Sequence, residues 1–388
     1  MKYTLKLLLL LCGLTIFAGQ TKSQTTAENL QTYIQQTVDS AYQKEKVPGI
    51  FVAVLDNEKR NYFSSGFANP DSQKAFDSTT VFEIGSITKT FTAYILMTLL
   101  HEKGISDTVS IISYLPDTVQ KNKNLQGISF LSLMNHTSGL PRLPDNMKPE
   151  DVRQPYENYS EKELYAYLKV CNPKPDGKSN YSNLGAGLGG VLAERISGKT
   201  YAQLLDQYIF LPFKMVTTDN AVANSHNNSQ GYFAKDDKTP YWNMNVLAPA
   251  GGLKCSGSEM LTYLQNLCFP QTENSKRIID ELTTQTVAIN ERIAVGRGWH
   301  IFYEKDQPTI YWHNGGTYGF STFCAFLKGS SKTVMVVINQ TGKNSVSDLL
   351  GIKIIKKMKF LLKKYLAKFI EVVLKLRLMT FVIRLMEL

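Results

Sequence analysis

A lysine near the start of a long apolar segment constrains this chain more than any other feature. The segment reads Phe82-Glu83-Ile84-Gly85-Ser86-Ile87-Thr88-Lys89-Thr90-Phe91, continues through Ala93-Tyr94-Ile95-Leu96-Met97 to Leu100, and closes at Lys103-Gly104. Polar Ser86 at its head, and lysine then glycine at its foot, predict one helix. Apolar on nearly every side, that helix belongs in a core. Ser86 and Lys89 are three apart, so their side chains share a face and can meet. A buried lysine is costly unless partnered, and desolvation lowers its pKa. A serine whose neighbour can take its proton is an activated nucleophile, and free N–H groups at a helix start favour developing negative charge. The same residues fit a plainer role, with Ser86 capping the helix and Lys89 reaching to solvent. Ser-x-x-Lys alone is too short a pattern to choose between the two.

The rest of the chain, read in order, predicts where that helix sits. Residues 25–46 carry Leu30, Tyr33, Ile34, Val38, Ala41 and Tyr42 at helical spacing before Pro48-Gly49. Ile50 to Leu55 is an apolar run expected as a buried strand, turned at Asp56-Asn57-Glu58 and returning over Asn61–Phe67. Ile111 to Leu115 ends in a loop at Pro116-Asp117, and Ile128 to Met134 leads to His136-Thr137-Ser138-Gly139-Leu140-Pro141. His136 beside Ser138 suggests a pair, but adjacent residues rarely face each other, so packing and capping fit better. A loop over Pro173–Asn180 delivers Tyr181-Ser182-Asn183 to a helix from Leu184 to Ile196, ended by Gly198. Within it lies a literal G-x-G-x-x-G, Gly185 to Gly190, with Asp206 about twenty residues on. No β-branched strand precedes these glycines, so close helix packing explains them better than dinucleotide binding. Tyr201 to Phe210 reads as helix broken at Leu211-Pro212-Phe213. A glycine turn at Gly251-Gly252 precedes a helix from Ser258 to Leu267. Strands dominate the last third: Ile293–Tyr303, Thr309–His313 running into Asn314-Gly315-Gly316, Gly319–Leu327 and Thr333–Asn339. Strands at both ends and helices between them predict an α+β fold. An antiparallel sheet is built from both termini and flanked by helices, with an inserted, mainly helical lobe and the active site at the junction.

The net charge of +10 would suggest nucleic acid until it is located. Residues 351–388 hold +8 and residues 1–23 hold +3, leaving −1 for residues 24–350. A neutral body without a basic patch gives nucleic-acid binding no support. Lys2 and Lys6 ahead of the apolar run Leu7–Ala18 read as a signal peptide over residues 1–23, so a secreted, periplasmic or extracellular protein is expected. Cys171, Cys255, Cys268 and Cys324 are scattered, with neither disulfide-framework nor zinc spacing, and are expected as buried free thiols. Residues 359–388 form a basic amphipathic extension. A helix lying on a membrane surface is one reading of it; an extra packing element and an extension without function are the others.

Three polar motifs face the expected junction: Ser86-Ile87-Thr88-Lys89, Tyr181-Ser182-Asn183 and His313-Asn314-Gly315-Gly316. Acyl transfer needs a nucleophile, a base, a proton donor to the leaving group and an oxyanion site. Ser86 supplies the first. Lys89 and the Tyr181 phenol can move protons if each lowers the other's pKa. Asn183 can orient Lys89 and meet a substrate amide, and Gly315 and Gly316 let a substrate backbone approach. The N–H groups of Ser86 and Gly316 can form the oxyanion site.

This set, in this order, resembles the serine β-lactamase and penicillin-binding protein superfamily, and within it the class C-related branch, whose second motif is Tyr-x-Asn. Phe82-Glu83-Ile84-Gly85-Ser86, His136 to Pro141, Ala250 to Leu253 and Gly315 to Phe320 match as well. The resemblance covers roughly residues 28–355. It implies a β-lactamase/transpeptidase-like domain over 24–358, acylation of Ser86 and hydrolysis of the acyl-enzyme, with no cofactor or metal. Ser86, Lys89 and Tyr181 are the expected catalytic groups; Asn183, His313, Asn314, Gly315 and Gly316 are the expected substrate contacts. One departure stands out: where efficient class C enzymes carry Lys-Thr-Gly, this chain has His313-Asn314-Gly315. A fixed cation becomes a group expected to titrate near neutrality. The function expected is therefore a secreted serine hydrolase acting on a D-alanyl peptide, a β-lactam or a small ester. The alternatives are a penicilloyl-binding sensor that acylates without turnover, and a module without catalysis.

Overall fold

The computed structural model describes residues 30–215, 227–305 and 307–359. Among these residues the strands are β1 (Gly49–Asp56), β2 (Lys59–Gly66), β3 (Val81–Glu83), β4 (Gly231–Ala234), β5 (Asp237–Thr239), β6 (Lys254–Ser256), β7 (Val287–Ala288), β8 (Ile293–Val295), β9 (His300–Phe302), β10 (Ile310–Gly316), β11 (Ser321–Leu327) and β12 (Lys332–Ile338). Eight of them form one antiparallel sheet in the order β2-β1-β12-β11-β10-β9-β8-β7, so its two ends come from the two ends of the chain, as expected. The register pairs Ile50, Val52 and Val54 with Ile338, Val336 and Val334, and pairs Val336 with Phe323 in turn. Alternate residues along a strand point to opposite faces. The even-numbered residues of β1 and β12 therefore meet Ile34, Val38, Ile354 and Met358, on helices 30–45 and 344–359. The odd-numbered ones, Phe51, Ala53, Met335 and Val337, meet Met260, Leu261 and Leu264 of helix Gly257–Cys268. Two covered faces explain why these strands read as continuous apolar runs rather than alternating ones.

The helical lobe lies in sequence between β3 and β6, which pair with each other and pin its two ends side by side. At its centre runs helix Thr88–Glu102, buried from Thr88 to Leu100. It begins two residues later than the sequence suggests, because Gly85–Ile87 form a separate tight turn. Gly85 stands at φ +53°, a conformation open to glycine, and the Thr88 hydroxyl donates to its carbonyl at 2.7 Å. Ser86 caps nothing: the residue before the helix is Ile87, with no side-chain cap. The second lobe helix, Asn183–Ser197, is capped by Ser182, whose Oγ accepts from Gly185 N at 2.8 Å, and it ends at Gly198 in the left-handed conformation. Pro212 does not break the segment after Tyr201. It sits in the first turn of a further short helix, Leu211–Phe213, where a missing N–H costs nothing. The closing helix spans 344–359, so Lys359, expected in the extension, belongs to it and pairs with Glu304 at 3.2 Å. Residues 1–29 and 360–388, which carry the expected signal peptide and most of the basic extension, lie outside the described residues. All four described cysteines are buried, and Cys171, Cys268 and Cys324 are free. No helix among the described residues is long and apolar enough to cross a membrane.

The glycine run of the second helix is a packing device, as its sequence context implied. A Cβ on Gly187 would fall 2.5 Å from Leu247 Cδ2, and one on Gly190 would fall 2.2 Å from Pro249 Cγ. Both partners lie in the tight turn Asn245–Ala250, so these two glycines set how close that turn comes to the core helix. Gly190→Ala should force the turn outward and destabilise the protein by roughly 1–3 kcal/mol, the usual scale of overpacking. Urea denaturation checks this: a midpoint within error of wild type would show that the turn yields freely.

Candidate active site

Lys89 lies at the bottom of the junction between sheet and helical lobe, almost fully buried. Its Nζ has three acceptors: Ser86 Oγ at 3.0 Å, Asn183 Oδ1 at 2.9 Å and the Ala250 carbonyl at 2.6 Å. Each comes from a different segment: the turn before the core helix, the start of the second helix, and the turn held by Gly187 and Gly190. Two of these acceptors are carbonyl oxygens that cannot donate. They take two amine protons and leave the third tetrahedral position facing the serine hydroxyl. Burial, aided by the positive charge of Arg142, holds Lys89 well below the ordinary lysine range. The lowered pKa favours the neutral amine, whose lone pair then faces Ser86, the arrangement that activates a nucleophile.

The Tyr181 phenol stands close enough to Ser86 for a hydrogen bond to it to act on its pKa. Burial drives its pKa up, and neither the Ser86 hydrogen bond nor Arg142 outweighs that burial. The mutual lowering expected from the sequence is overturned: burial and Arg142, not Tyr181, lower Lys89, and Tyr181 is raised, so it keeps its proton and is placed to donate it. Its ring is fixed by neighbours: Lys89 Nζ 4.8 Å and Arg142 Cζ 5.3 Å from the centroid, and the His136 ring centroid at 4.5 Å. His136 accepts from Ser182 N through Nδ1 at 3.3 Å, so it packs and positions the Tyr181 segment rather than pairing with Ser138. His136 and Arg142 were not singled out as site residues from sequence. Their place in the loop before Tyr181 was visible there, but not that this loop folds over the phenol.

The third motif reaches the nucleophile through glycine. A Cβ on Gly315 would fall 2.0 Å from the Ile84 carbonyl, and one on Gly85 would fall 2.8 Å from Gly316 N. With no side chain at either position, β10 lies against the Ser86 turn and brings Gly316 N–H next to Gly85, one residue from Ser86 N–H. Thr322 Oγ1 fastens the contact by donating to Ile84 O at 3.0 Å. Behind it the buried Glu83 accepts from Thr317 Oγ1 at 2.6 Å and from Trp242 N at 2.5 Å, tying the exit of β10 to the lobe. The side chains of this motif divide by the pleat. Asn314 pairs in register with Phe323 of the closing-helix face, and its Nδ2 donates to Asp348 Oδ2 at 2.8 Å, away from Ser86. Only its backbone stays with the site. His313 lies on the active-site face, 6.4 Å from the Tyr181 ring. Burial, reinforced by His300, Lys89 and His136, holds it well below the ordinary histidine range, against the raising effect of its hydrogen bond to Asn314 O. The expectation that it titrates near neutrality is overturned: it is a neutral imidazole at physiological pH. Asn344 joins from the closing helix, donating to Gly315 O at 2.7 Å.

A family model described as Beta-lactamase matches residues 31–355. A beta-lactamase of Yersinia enterocolitica is 26% identical over 317 residues, covering 77% of this chain and 77% of that protein. A beta-lactamase of Escherichia coli (strain K12) is 27% identical over 272 residues, 69% of each. In three dimensions the chain resembles a crystal structure of a beta-lactamase/D-alanine carboxypeptidase from Pseudomonas syringae. Their TM-score is 0.74 at 21% identity, covering 84% of this chain and 99% of that one.

Three buried histidines, His136, His300 and His313, have pKa values lowered by burial, His300 to about 4. Their unfolded forms bind protons near pH 6.5 while the folded forms do not. Unfolding therefore takes up protons below that pH, and stability is lost as pH falls from about 6.5 toward 4. Melting temperatures measured across that range should fall, and fall less steeply in His300→Gln. An unchanged slope in the variant would mean that His300 is already protonated in the native state.

Proposed function

The chain belongs to the Beta-lactamase family, and on that premise we propose that it is a serine hydrolase that opens amide or ester bonds through an acyl-enzyme on Ser86. The observation that carries this reading is the Lys89 amine, stripped of solvent, held by two carbonyl oxygens and set 3.0 Å from Ser86 Oγ. In the acylation step Ser86 Oγ attacks the substrate carbonyl and Lys89 takes its proton. The carbonyl oxygen turns toward the N–H groups of Ser86 and Gly316, and Tyr181 protonates the leaving group. Water then attacks the acyl carbonyl, giving one proton to the Tyr181 phenolate, and the proton held by Lys89 returns to Ser86 Oγ as the acid leaves. Asn183, which already holds Lys89, is the group at the mouth of the site suited to a substrate amide.

The third motif bears on the substrate. A buried neutral His313 offers no fixed charge where a lysine would stand in efficient class C enzymes. We therefore favour a D-alanyl peptide or small ester over a β-lactam as the substrate turned over. The charged start and apolar run of residues 1–18 support export, and we infer a periplasmic or extracellular site of action. The basic composition of residues 359–388 supports contact with an anionic membrane surface.

Ser86→Ala should abolish covalent labelling by a fluorescent fluorophosphonate while circular dichroism stays native; persistent labelling would remove Ser86 as the nucleophile. Lys89→Ala should slow acylation by roughly 10²–10⁴, the scale of losing a general base. A panel of nitrocefin, a D-Ala-D-Ala peptide and p-nitrophenyl esters then separates the substrate classes. A stoichiometric burst followed by no turnover on any of them would indicate a sensor instead. Tyr181→Phe keeps the ring and removes the proton donor, so turnover should drop far more than melting temperature. Near-native turnover would show that Lys89 handles both proton transfers.

A further inference from the structure

Arg142 is an exposed cation at the mouth of the site that the proton-transfer scheme does not use. Its guanidinium carbon lies 5.3 Å from the Tyr181 ring centroid. Its own carbonyl accepts from both Asn183 N at 3.0 Å and Leu184 N at 3.2 Å, so its backbone is locked to the start of the second helix. Its charge is felt by Lys89, His136, Tyr156 and Tyr181 alike, which places it among the groups that surround Ser86. Among the described residues no carboxylate forms an ion pair with it. The other basic groups of the motifs are poor fixed cations: Lys89 and His313 are buried, and burial pushes both of their pKa values down.

We propose that Arg142 is the substrate-anion anchor of this enzyme, and that the substrate it favours carries a carboxylate which the guanidinium holds beside Tyr181. A planar guanidinium offers paired N–H donors that match the two oxygens of a carboxylate, and stacking on an aromatic ring restricts it at little entropic cost. The backbone bonds to Asn183 and Leu184 fix the point from which that fork reaches, beside the segment that carries Tyr181. This proposal rests on the serine-hydrolase reading above and adds the charge of the substrate to it.

The test uses two phenylacetyl esters with the same acyl group. One has 3-hydroxybenzoate as leaving group and the other its neutral methyl ester, each assayed on wild type, Arg142→Gln and Arg142→Lys. The effect of Arg142 on the pKa of Lys89 in the empty enzyme is common to both esters and cancels in their ratio. Wild type should prefer the carboxylate ester. Arg142→Gln should lower that preference by about ten- to a hundredfold, the range of one charge-assisted hydrogen bond, mainly through KM. Arg142→Lys, which keeps charge but loses the fork, should fall between. A change in the ratio below about threefold in Arg142→Gln, set against that range, would overturn the anchor. If wild type hydrolyses neither ester and takes no fluorophosphonate label, the hydrolase reading falls instead. Calorimetric binding of the two esters to wild type and Arg142→Gln then decides the anchor. Loss of the carboxylate preference in the variant supports it, and retention overturns it.

Discussion

Everything at the junction depends on keeping one amine in the core. A lysine Nζ out of water is tolerated only where acceptors replace its hydration. Here the replacements come from three chain segments, so the buried group fixes their mutual positions as firmly as they fix it. The Asn183 amide requires the second helix to start where Ser182 caps it. The Ala250 carbonyl requires its turn to lie where Gly187 and Gly190 leave room. Ser86 requires the tight turn that Gly85 makes and that β10 can touch because residue 315 has no side chain. The sheet, the lobe and the turns between them all meet at that one nitrogen.

The parts of this arrangement that were legible in the sequence are those in which side-chain identity carries the role. Ser86, Lys89, Tyr181 and Asn183 have chemistry that few other residues could supply, and the structure brings all four together. The sheet was legible because both of its faces are covered, which leaves unbroken apolar runs at 50–55, 323–327 and 334–338. The Ala250 carbonyl was not legible, since every residue offers a carbonyl and only the path of the chain selects one. The late start of the helix at Thr88 was hidden for a related reason: the sequence shows a hydroxyl where a cap would sit, but not that Gly85 turns the backbone away. The short strands β3 and β6 were missed because three residues carry no period.

His313 shows where residue type alone misleads. An imidazole read in isolation has a pKa near neutrality. In the fold it sits within 5.2 Å, centroid to centroid, of His300, and His300 stacks on Trp312 at 4.6 Å, so burial and neighbouring basic groups act in one direction. Asn314 misleads differently. Adjacent in sequence to His313, it is sent by the pleat to the opposite face, where it meets Asp348. A strand motif therefore divides its labour between two surfaces, and only register tells which residue serves which.

The electrostatics of the mouth follow from the same separation of buried and exposed groups. Desolvation is the larger cause of the low pKa of Lys89, and Arg142 adds to it. An exposed cation that helps keep a buried amine neutral also leaves the base competent before substrate arrives. An anion placed against that guanidinium would cancel part of its field, and the pKa of Lys89 would rise once the substrate is seated. The change is in the useful direction, because a stronger base is wanted at the moment the serine proton is transferred, and a weaker one in the empty enzyme, where protonation would occupy the lone pair. Binding and proton affinity are then coupled through a single side chain, without any movement of the residues that hold Lys89.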